Sequence, residues 1–257
     1  MLNELTSPGV CGSMMQVDRA LCPTVHIVGI GPGGDVCYLT AGARTALEAA
    51  DLVIFPGTQI SESIRSLIRG ELVWGQWFTD DQIRGWVRSA RGEGRCVALL
   101  CSGDPSLYSG EPGRFSSLSG NLAWLRAEGA QVQVHPGVSS LQVLLARLGL
   151  ENARPESGCP LAIYAPGRDP LPLAGRRLEG LAALGVPLAL FLADRLLTQV
   201  VEIGTRYFGS TGRIVIGHRL GWPDERIVDC TLAEVLSITD GSDVPYHTLV
   251  LLGPWHG

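Results

Sequence analysis

The chain contains no lysine: all 20 of its basic residues are arginine. This absence excludes every chemistry that needs a lysine amine, including Schiff-base formation, pyridoxal phosphate attachment and the P-loop lysine. The guanidinium fork that remains suits a partner rich in carboxylates, because it pairs with them bidentately. Cysteine is scarce and unpatterned. Cys11, Cys22, Cys37, Cys96, Cys101, Cys159 and Cys230 are odd in number and form no C-x-x-C pair. That argues against a disulfide framework or a zinc site of the usual spacing, and for reduced thiols in a cytoplasm. The histidines (His26, His135, His218, His247 and His256) form no H-x-H or H-x-x-x-H pair, so any metal site would have to be assembled from distant residues.

Long apolar runs are also missing, and none approaches the roughly 18 residues of a membrane span. Residues 1–23 lack a positively charged start and a long apolar region, so they do not read as a secretory signal and are expected to form a loose extension outside the fold. Charged residues make up only 18% of the chain against 46% apolar, the composition of an ordered globular protein. A net charge of −5 argues against a general nucleic-acid surface.

What is present is an alternation of short apolar runs with helix-like segments. Val25–Val28, Leu52–Phe55, Val97–Leu100 and Val132–His135 read as strands. Ala41–Ala50, Ile60–Ile68, Asp80–Arg91, Leu122–Glu128 and Leu141–Leu148 read as helices, with Asp80 a candidate cap. Glu111–Gly120, rich in Gly, Ser and Pro, reads as a surface loop. This pattern predicts β/α units with mostly parallel strands and right-handed crossovers. Composition shifts at 151–160, which is expected to be a linker between an α/β domain at 24–150 and a second at 161–257. In the second half the alternation resumes with Leu161–Tyr164, Leu173–Leu184, Leu188–Leu192, Leu196–Phe208, Ile214–Gly217 and Thr248–Leu252, and a loop surrounds Trp222–Glu225. No internal repeat is visible.

Chemistry concentrates where strands end. Gly29-Ile-Gly-Pro-Gly-Gly34 follows the first strand and satisfies G-x-G-x-x-G, the dinucleotide fingerprint. Pro32, however, stands where that fingerprint needs free amides, and no acidic residue ends the second strand. A tight structural turn and a ligand-facing loop of another kind both remain open. Ser102-Gly-Asp-Pro-Ser-Leu-Tyr108 leaves one carboxylate, Asp104, at the carboxyl end of a strand, where open α/β sheets bind their ligands. Pro136-Gly-Val-Ser-Ser140 also follows a strand and opens a helix. There Ser139 or Ser140 can cap, and the N-terminal amides suit a carboxylate or a ribose oxygen. Gly221-Trp-Pro-Asp-Glu-Arg226 reads equally as a core anchor with a solvated turn or as part of a site.

Taken in order, these four segments resemble the tetrapyrrole (corrin/porphyrin) methyltransferase family. Its pattern runs V-G-x-G-P-G, G-D-P-x-x-Y/F, P-G-V/I-[ST]-[SA] and a late W-P-x-E/Q-R-x-V. This chain has Val28–Gly33, Gly103–Tyr108, Pro136–Ser140 and Trp222–Val228. The last run is most similar to the precorrin-4 C11-methyltransferase branch of cobalamin synthesis. The stretch from Tyr108 to Pro136 is longer than usual in the family, and Cys101 stands where that branch more often has histidine.

The resemblance implies two α/β domains with a cofactor cleft between them, a homodimer, and methyl transfer from S-adenosylmethionine to a carbon of a corrin precursor. The runner-up is a family activity at another ring carbon or acceptor; a non-catalytic binding protein of the same fold is the alternative of another class. Carried over position by position, cofactor contacts fall on Pro32, Ser102, Gly103, Asp104, Leu107, Ser139, Ser140, Leu192 and Cys230. Acceptor contacts fall on Gly31, Pro32, Gly33, Tyr108 and Arg114, with Arg168 and Arg219 further candidates for the acceptor's carboxylates. No metal ligand and no catalytic base is indicated.

Overall fold

Strands buried on both faces read as unbroken apolar runs, and Leu52–Phe55 and Val97–Leu100 are such runs, fully buried in the folded protein. The computed structural model describes residues 24–76, 78–107, 117–151, 160–239 and 247–255. Its first half contains β1 (Val25–Gly29), α1 (Ala41–Ala49), β2 (Leu52–Phe55), α2 (Glu62–Arg65), β3 (Glu71–Trp74) and α3 (Asp80–Gly92). These are followed by β4 (Val97–Cys101), α4 (Leu118–Ala127), β5 (Val132–His135) and α5 (Ser140–Leu148). The strands form one parallel sheet in the order β3-β2-β4-β1-β5.

Successive side chains on a strand face opposite ways, and the two helical layers divide along that alternation. Val28, Val53, Phe55, Ala98 and Leu100 pack with Ala43, Leu47 and Ile64 of α1 and α2. Val25, Ile27, Leu52, Ile54, Val97 and Leu99 pack with Ile83, Val87 and Leu125 of α3 and α4.

The second half contains β6 (Ala162–Tyr164), α6 (Leu171–Ala182), β7 (Leu188–Phe191), α7 (Leu197–Phe208) and β8 (Arg213–His218). β9 (Arg226–Thr231), α8 (Val235–Ile238) and β10 (Thr248–Leu252) complete it. The sheet order is β6-β7-β10-β8-β9. Only β6 and β7 pair in parallel; the β7–β10, β10–β8 and β8–β9 pairs are antiparallel. One face (Leu188, Leu190, Ile214, Ile216, Val250, Leu252) is covered by α6, α7 and α8. The other (Ala189, Val215, Leu249, Leu251) takes Leu141, Leu144 and Leu145 of α5, so a helix of the first half roofs the second sheet.

Several expectations are revised. The second sheet is mostly antiparallel, because β10 inserts between β7 and β8 and the turn at 219–225 joins β8 to β9 as a hairpin. β3 and β9, not foreseen, are edge strands whose half-exposed residues carry little apolar signal. α3 is capped by Thr79 rather than Asp80: Thr79 and Gln82 form a reciprocal capping box that uses both side chains. α4 begins at Leu118, inside the stretch read as loop, because Ser117 accepts from the Gly120 amide and caps it. Residues 1–23 and most of the expected linker at 151–160 lie outside the described residues.

Gly85 sits exposed within α3, and a Cβ built there meets nothing within 4 Å among the described residues. Gly85→Ala should therefore stabilise the fold by about 0.5–1 kcal/mol, read as a raised midpoint in urea unfolding with unchanged slope.

Candidate functional site

β1 lies between β4 and β5, so the loops leaving the carboxyl ends of these three strands are neighbours. Their main chains touch directly. A Cβ on Gly29 would lie 2.7 Å from the Gly137 nitrogen and 2.8 Å from the Gly103 oxygen, and one on Gly137 would collide with that same oxygen. Gly103 takes φ +70°, a left-handed conformation that favours glycine, and its amide donates to the Gly31 carbonyl at 2.6 Å. The strand-end loops of β1, β4 and β5 are thus a single backbone cluster.

Asp104 fastens it. One carboxylate oxygen accepts from the Ser106 amide at 2.7 Å, from the Ser106 hydroxyl and from the Leu107 amide at 3.2 Å. The other accepts from the Gly137 amide at 3.0 Å, across to the loop after β5. Partial burial pushes its pKa up, but the bonds from Ser106, Gly137 and Leu107 outweigh that and hold it below the ordinary carboxylate value. Beside it, burial pushes the Cys101 thiol up to about 12, with the Asp104 charge adding to the effect, so it stays protonated. Ser139 is buried and caps α5, its hydroxyl accepting from the Leu141 amide at 3.2 Å. His135, which precedes this loop, shares a 2.9 Å hydrogen bond with His26; burial lowers both imidazoles, and His135 lowers His26 further.

Ser102, Gly103, Asp104, Leu107, Ser139 and Ser140 are therefore brought together on two loops, with Ser102 exposed and Leu107 and Ser140 half-buried. Gly31, Pro32 and Gly33 form the third loop, which faces the second half of the chain. Trp222 donates its indole N–H to the Pro32 carbonyl at 3.0 Å, and a Cβ on Gly33 would lie 3.5 Å from the Trp222 ring. Leu192 stands at the end of β7 with φ +54°. Non-glycine residues rarely adopt that conformation, and it gathers at functional positions. Cys230 is not brought to these loops. It faces the core under α6, α7 and α8, because alternation along β9 puts Val228 and Cys230 on that side and Ile227 on the other. Tyr108 and Arg114 lie outside the described residues, as does most of the inserted loop 109–120. Arg168 closes a short 3-10 turn, Pro166–Arg168, after β6.

Arg219 is not a free carboxylate clamp. Its Nε donates to Asp224 at 2.7 Å, its Nη1 donates to Gln59 of the first half, and its guanidinium lies 4.6 Å from the Trp222 ring centroid. Sequence reasoning missed Thr58, Gln59 and His247. Gln59 meets Arg219, and Thr58 shares a 3.0 Å hydrogen bond with His247. Their only sequence signal is position: Thr58 and Gln59 follow a strand end, and His247 precedes β10. Among the described residues no group of His, Cys, Asp and Glu is arranged to hold a metal ion, and no helix is long and apolar enough to cross a membrane.

The Tetrapyrrole (Corrin/Porphyrin) Methylases family matches residues 24–236, and the chain belongs to it. It is a methyltransferase. A cobalt-precorrin-4 C(11)-methyltransferase of Methanocaldococcus jannaschii is 28% identical over 236 residues, 89% of this chain and 86% of that protein. A precorrin-4 C(11)-methyltransferase of Pseudomonas aeruginosa is 28% identical over 233 residues, covering 90% and 89%. An S-adenosyl-L-methionine-dependent uroporphyrinogen III methyltransferase of Methanosarcina barkeri also matches, at 24% over 238 residues (89% of this chain, 90% of that one). Among solved structures, a cobalt precorrin-4 methyltransferase shares the fold with a TM-score of 0.77 at 24% identity, covering 90% of this chain and 94% of that one. The uroporphyrin-III C-methyltransferase of Thermus thermophilus complexed with S-adenosylhomocysteine gives 0.67 at 25%, covering 90% and 97%.

Asp104→Ala leaves the Gly137, Ser106 and Leu107 amides without their acceptor and should cost about 1–3 kcal/mol of stability. Because the folded pKa is lowered, the carboxylate's share is present above its ordinary value of 3.8 and is lost as pH falls through the folded value. Urea unfolding of both proteins across pH should show a constant gap from neutrality to about pH 5 that narrows in stronger acid.

Proposed function

We propose that this chain transfers the methyl group of S-adenosylmethionine to C11 of precorrin-4 or cobalt-precorrin-4. The observation that carries the reading is the cluster at the ends of β1, β4 and β5, fastened by Asp104 and facing the Trp222 loop. It stands at the carboxyl edge of a parallel sheet, where open α/β folds bind ligands. The residues suit the cofactor. Among the described residues a side chain at Gly103 would meet only Ser139 Cα, at 3.9 Å, so ligand atoms can approach the backbone there. Exposed Ser102 and half-buried Ser140 supply hydroxyls alongside, and half-buried Leu107 supplies an apolar surface.

When bound, the sulfonium supplies an already activated methyl group. The residues then have to hold donor and acceptor in line, which removes translational and rotational freedom before reaction. Ser102, Gly103, Leu107, Ser139 and Ser140 are assigned to the cofactor. Asp104 acts through the loops it ties and through a negative charge that favours a cationic donor over its neutral product, aiding binding more than the barrier. Gly31, Pro32 and Gly33 are assigned to the acceptor side. Leu192 keeps its assignment on the strength of its left-handed backbone, and Cys230 loses it. A homodimer belongs to the same reading.

The match to the Methanosarcina barkeri uroporphyrinogen III enzyme favours a second reading, the same chemistry on another tetrapyrrole or ring carbon. Calorimetric titration with S-adenosylmethionine should give binding that Asp104→Ala weakens about tenfold or more, with the variant still folded. No binding by the wild-type protein would sink the proposal. Incubation with precorrin-4 and with uroporphyrinogen III, read by mass spectrometry and NMR, should show one added methyl at C11 of the former; methylation of the latter alone selects the second reading.

A further inference from the structure

The turn between β8 and β9 makes more contacts with the first half of the chain than a hairpin turn needs. Trp222 holds the Pro32 carbonyl, and Gly221 packs against Gly34 so closely that a Cβ on Gly34 would collide with the Gly221 oxygen. Glu225 accepts from Arg147 of α5 at 2.8 Å and, through its other oxygen, from the Gly221 amide at 2.6 Å. Arg147 in turn donates to the Tyr38 hydroxyl at 3.1 Å. Three elements of the first half, the loop after β1, the loop after β2 and α5, converge on Arg219, Gly221, Trp222 and Glu225 of this turn.

Arg219 organises this turn. Its side chain is only 19% exposed, with the guanidinium stacked on Trp222 and bonded both to Asp224 within the turn and to Gln59 of the first half. Its backbone has φ +49°, and its amide donates at 3.1 Å to the carbonyl of His247, which has φ +70° and itself shares a hydrogen bond with Thr58. Two adjacent non-glycine residues in left-handed backbone, each reaching residue 58 or 59, form an arrangement that persists only where surrounding contacts enforce it.

We infer that Arg219 is a positioning residue. Through Trp222 and Gln59 it fixes the glycine loop 30–34 and the loop 57–59 against the second half, and so sets the width of the cleft on its acceptor side. The assignment of that side rests on the proposed function; the coupling between the halves does not. Lysine could not replace arginine here, since stacking on an indole while donating in two directions requires the planar fork.

The test is hydrogen–deuterium exchange on the full chain, comparing wild type with Arg219→Gly, Gln59→Ala and the double variant. Glycine relieves the left-handed backbone while removing the guanidinium, so the melting temperature should hold while amide exchange at residues 30–35 and 57–61 rises by about tenfold. Gln59 is exposed, so its alanine variant folds; alone it should raise exchange in the same two segments by a smaller factor. The double variant should be no worse than Arg219→Gly. With the acceptor, Arg219→Gly should lower kcat/KM about tenfold or more while S-adenosylhomocysteine affinity changes less than about threefold. Unchanged exchange at 30–35 would overturn the inference. So would a uniform rise with a lowered melting temperature, additive effects in the double variant, or a loss of cofactor affinity parallel to the loss of turnover. A wild-type protein that binds no S-adenosylmethionine would defeat the proposed function instead, and the exchange comparison would still decide the coupling.

Discussion

Gly29, Gly103 and Gly137 let three loops meet main chain to main chain, at separations no side chain would allow. Peptide groups brought that close need their polar atoms satisfied, and Asp104 supplies the acceptors for the amides of Ser106, Leu107 and Gly137. Remove the glycines and the loops separate; remove the carboxylate and they lose the bonds that fix their spacing. The cap of α5 by Ser139, the exposed ledge at Ser102 and the path of the glycine loop toward Trp222 all follow from this contact. A rigid ligand cradle is better made of backbone than of side chains, because backbone held by neighbouring strands has little freedom left to lose.

The two sheets are joined by means as specific as those within each. α5 buries Leu141, Leu144 and Leu145 against the second sheet, so the helix that begins at the candidate cofactor loop is also core of the other half. The turn at 219–225 makes the return connection, from β8 to Pro32, Gln59 and Arg147. Most other arginine pairs, such as Arg44–Glu48 and Arg213–Asp229, lie at the surface, where such pairs contribute little. Arg219 differs because its charge is shielded, stacked and shared between halves. In a chain without lysine, these are the places where arginine's planar fork matters to the architecture rather than to solubility.

The inner strands of the first sheet were legible because burial on both faces writes itself as unbroken apolar runs, and its helices because caps such as Ser139 announce them. Edge strands β3 and β9 were not legible, since half-exposed residues blur the alternation that a strand needs to be read. Strand direction in the second half was equally hidden. Pairing depends on which strands become neighbours, and β10, last in the chain, inserts between β7 and β8. Asp104 was marked by its place at a strand end, but the partner that makes it a fastener, the Gly137 amide, belongs to a loop more than thirty residues away. Cys230 was assigned to the site through the family resemblance, and the pleat of β9 packs its side chain against the core under α6, α7 and α8.

By itself the sequence determined the composition of the site: glycines and one aspartate at strand ends, arginine as the only strong cation, and the tryptophan turn. Local chemistry suffices for these, because turn geometry, capping and burial are short-range properties. Tertiary structure alone decided what those residues do to each other. It made Asp104 a fastener between loops, turned Arg219 from a candidate carboxylate clamp into a strut against Gln59, and set the Pro32 carbonyl under Trp222. Those contacts join residues up to 190 positions apart, and no spacing along a chain records a distance that only folding creates.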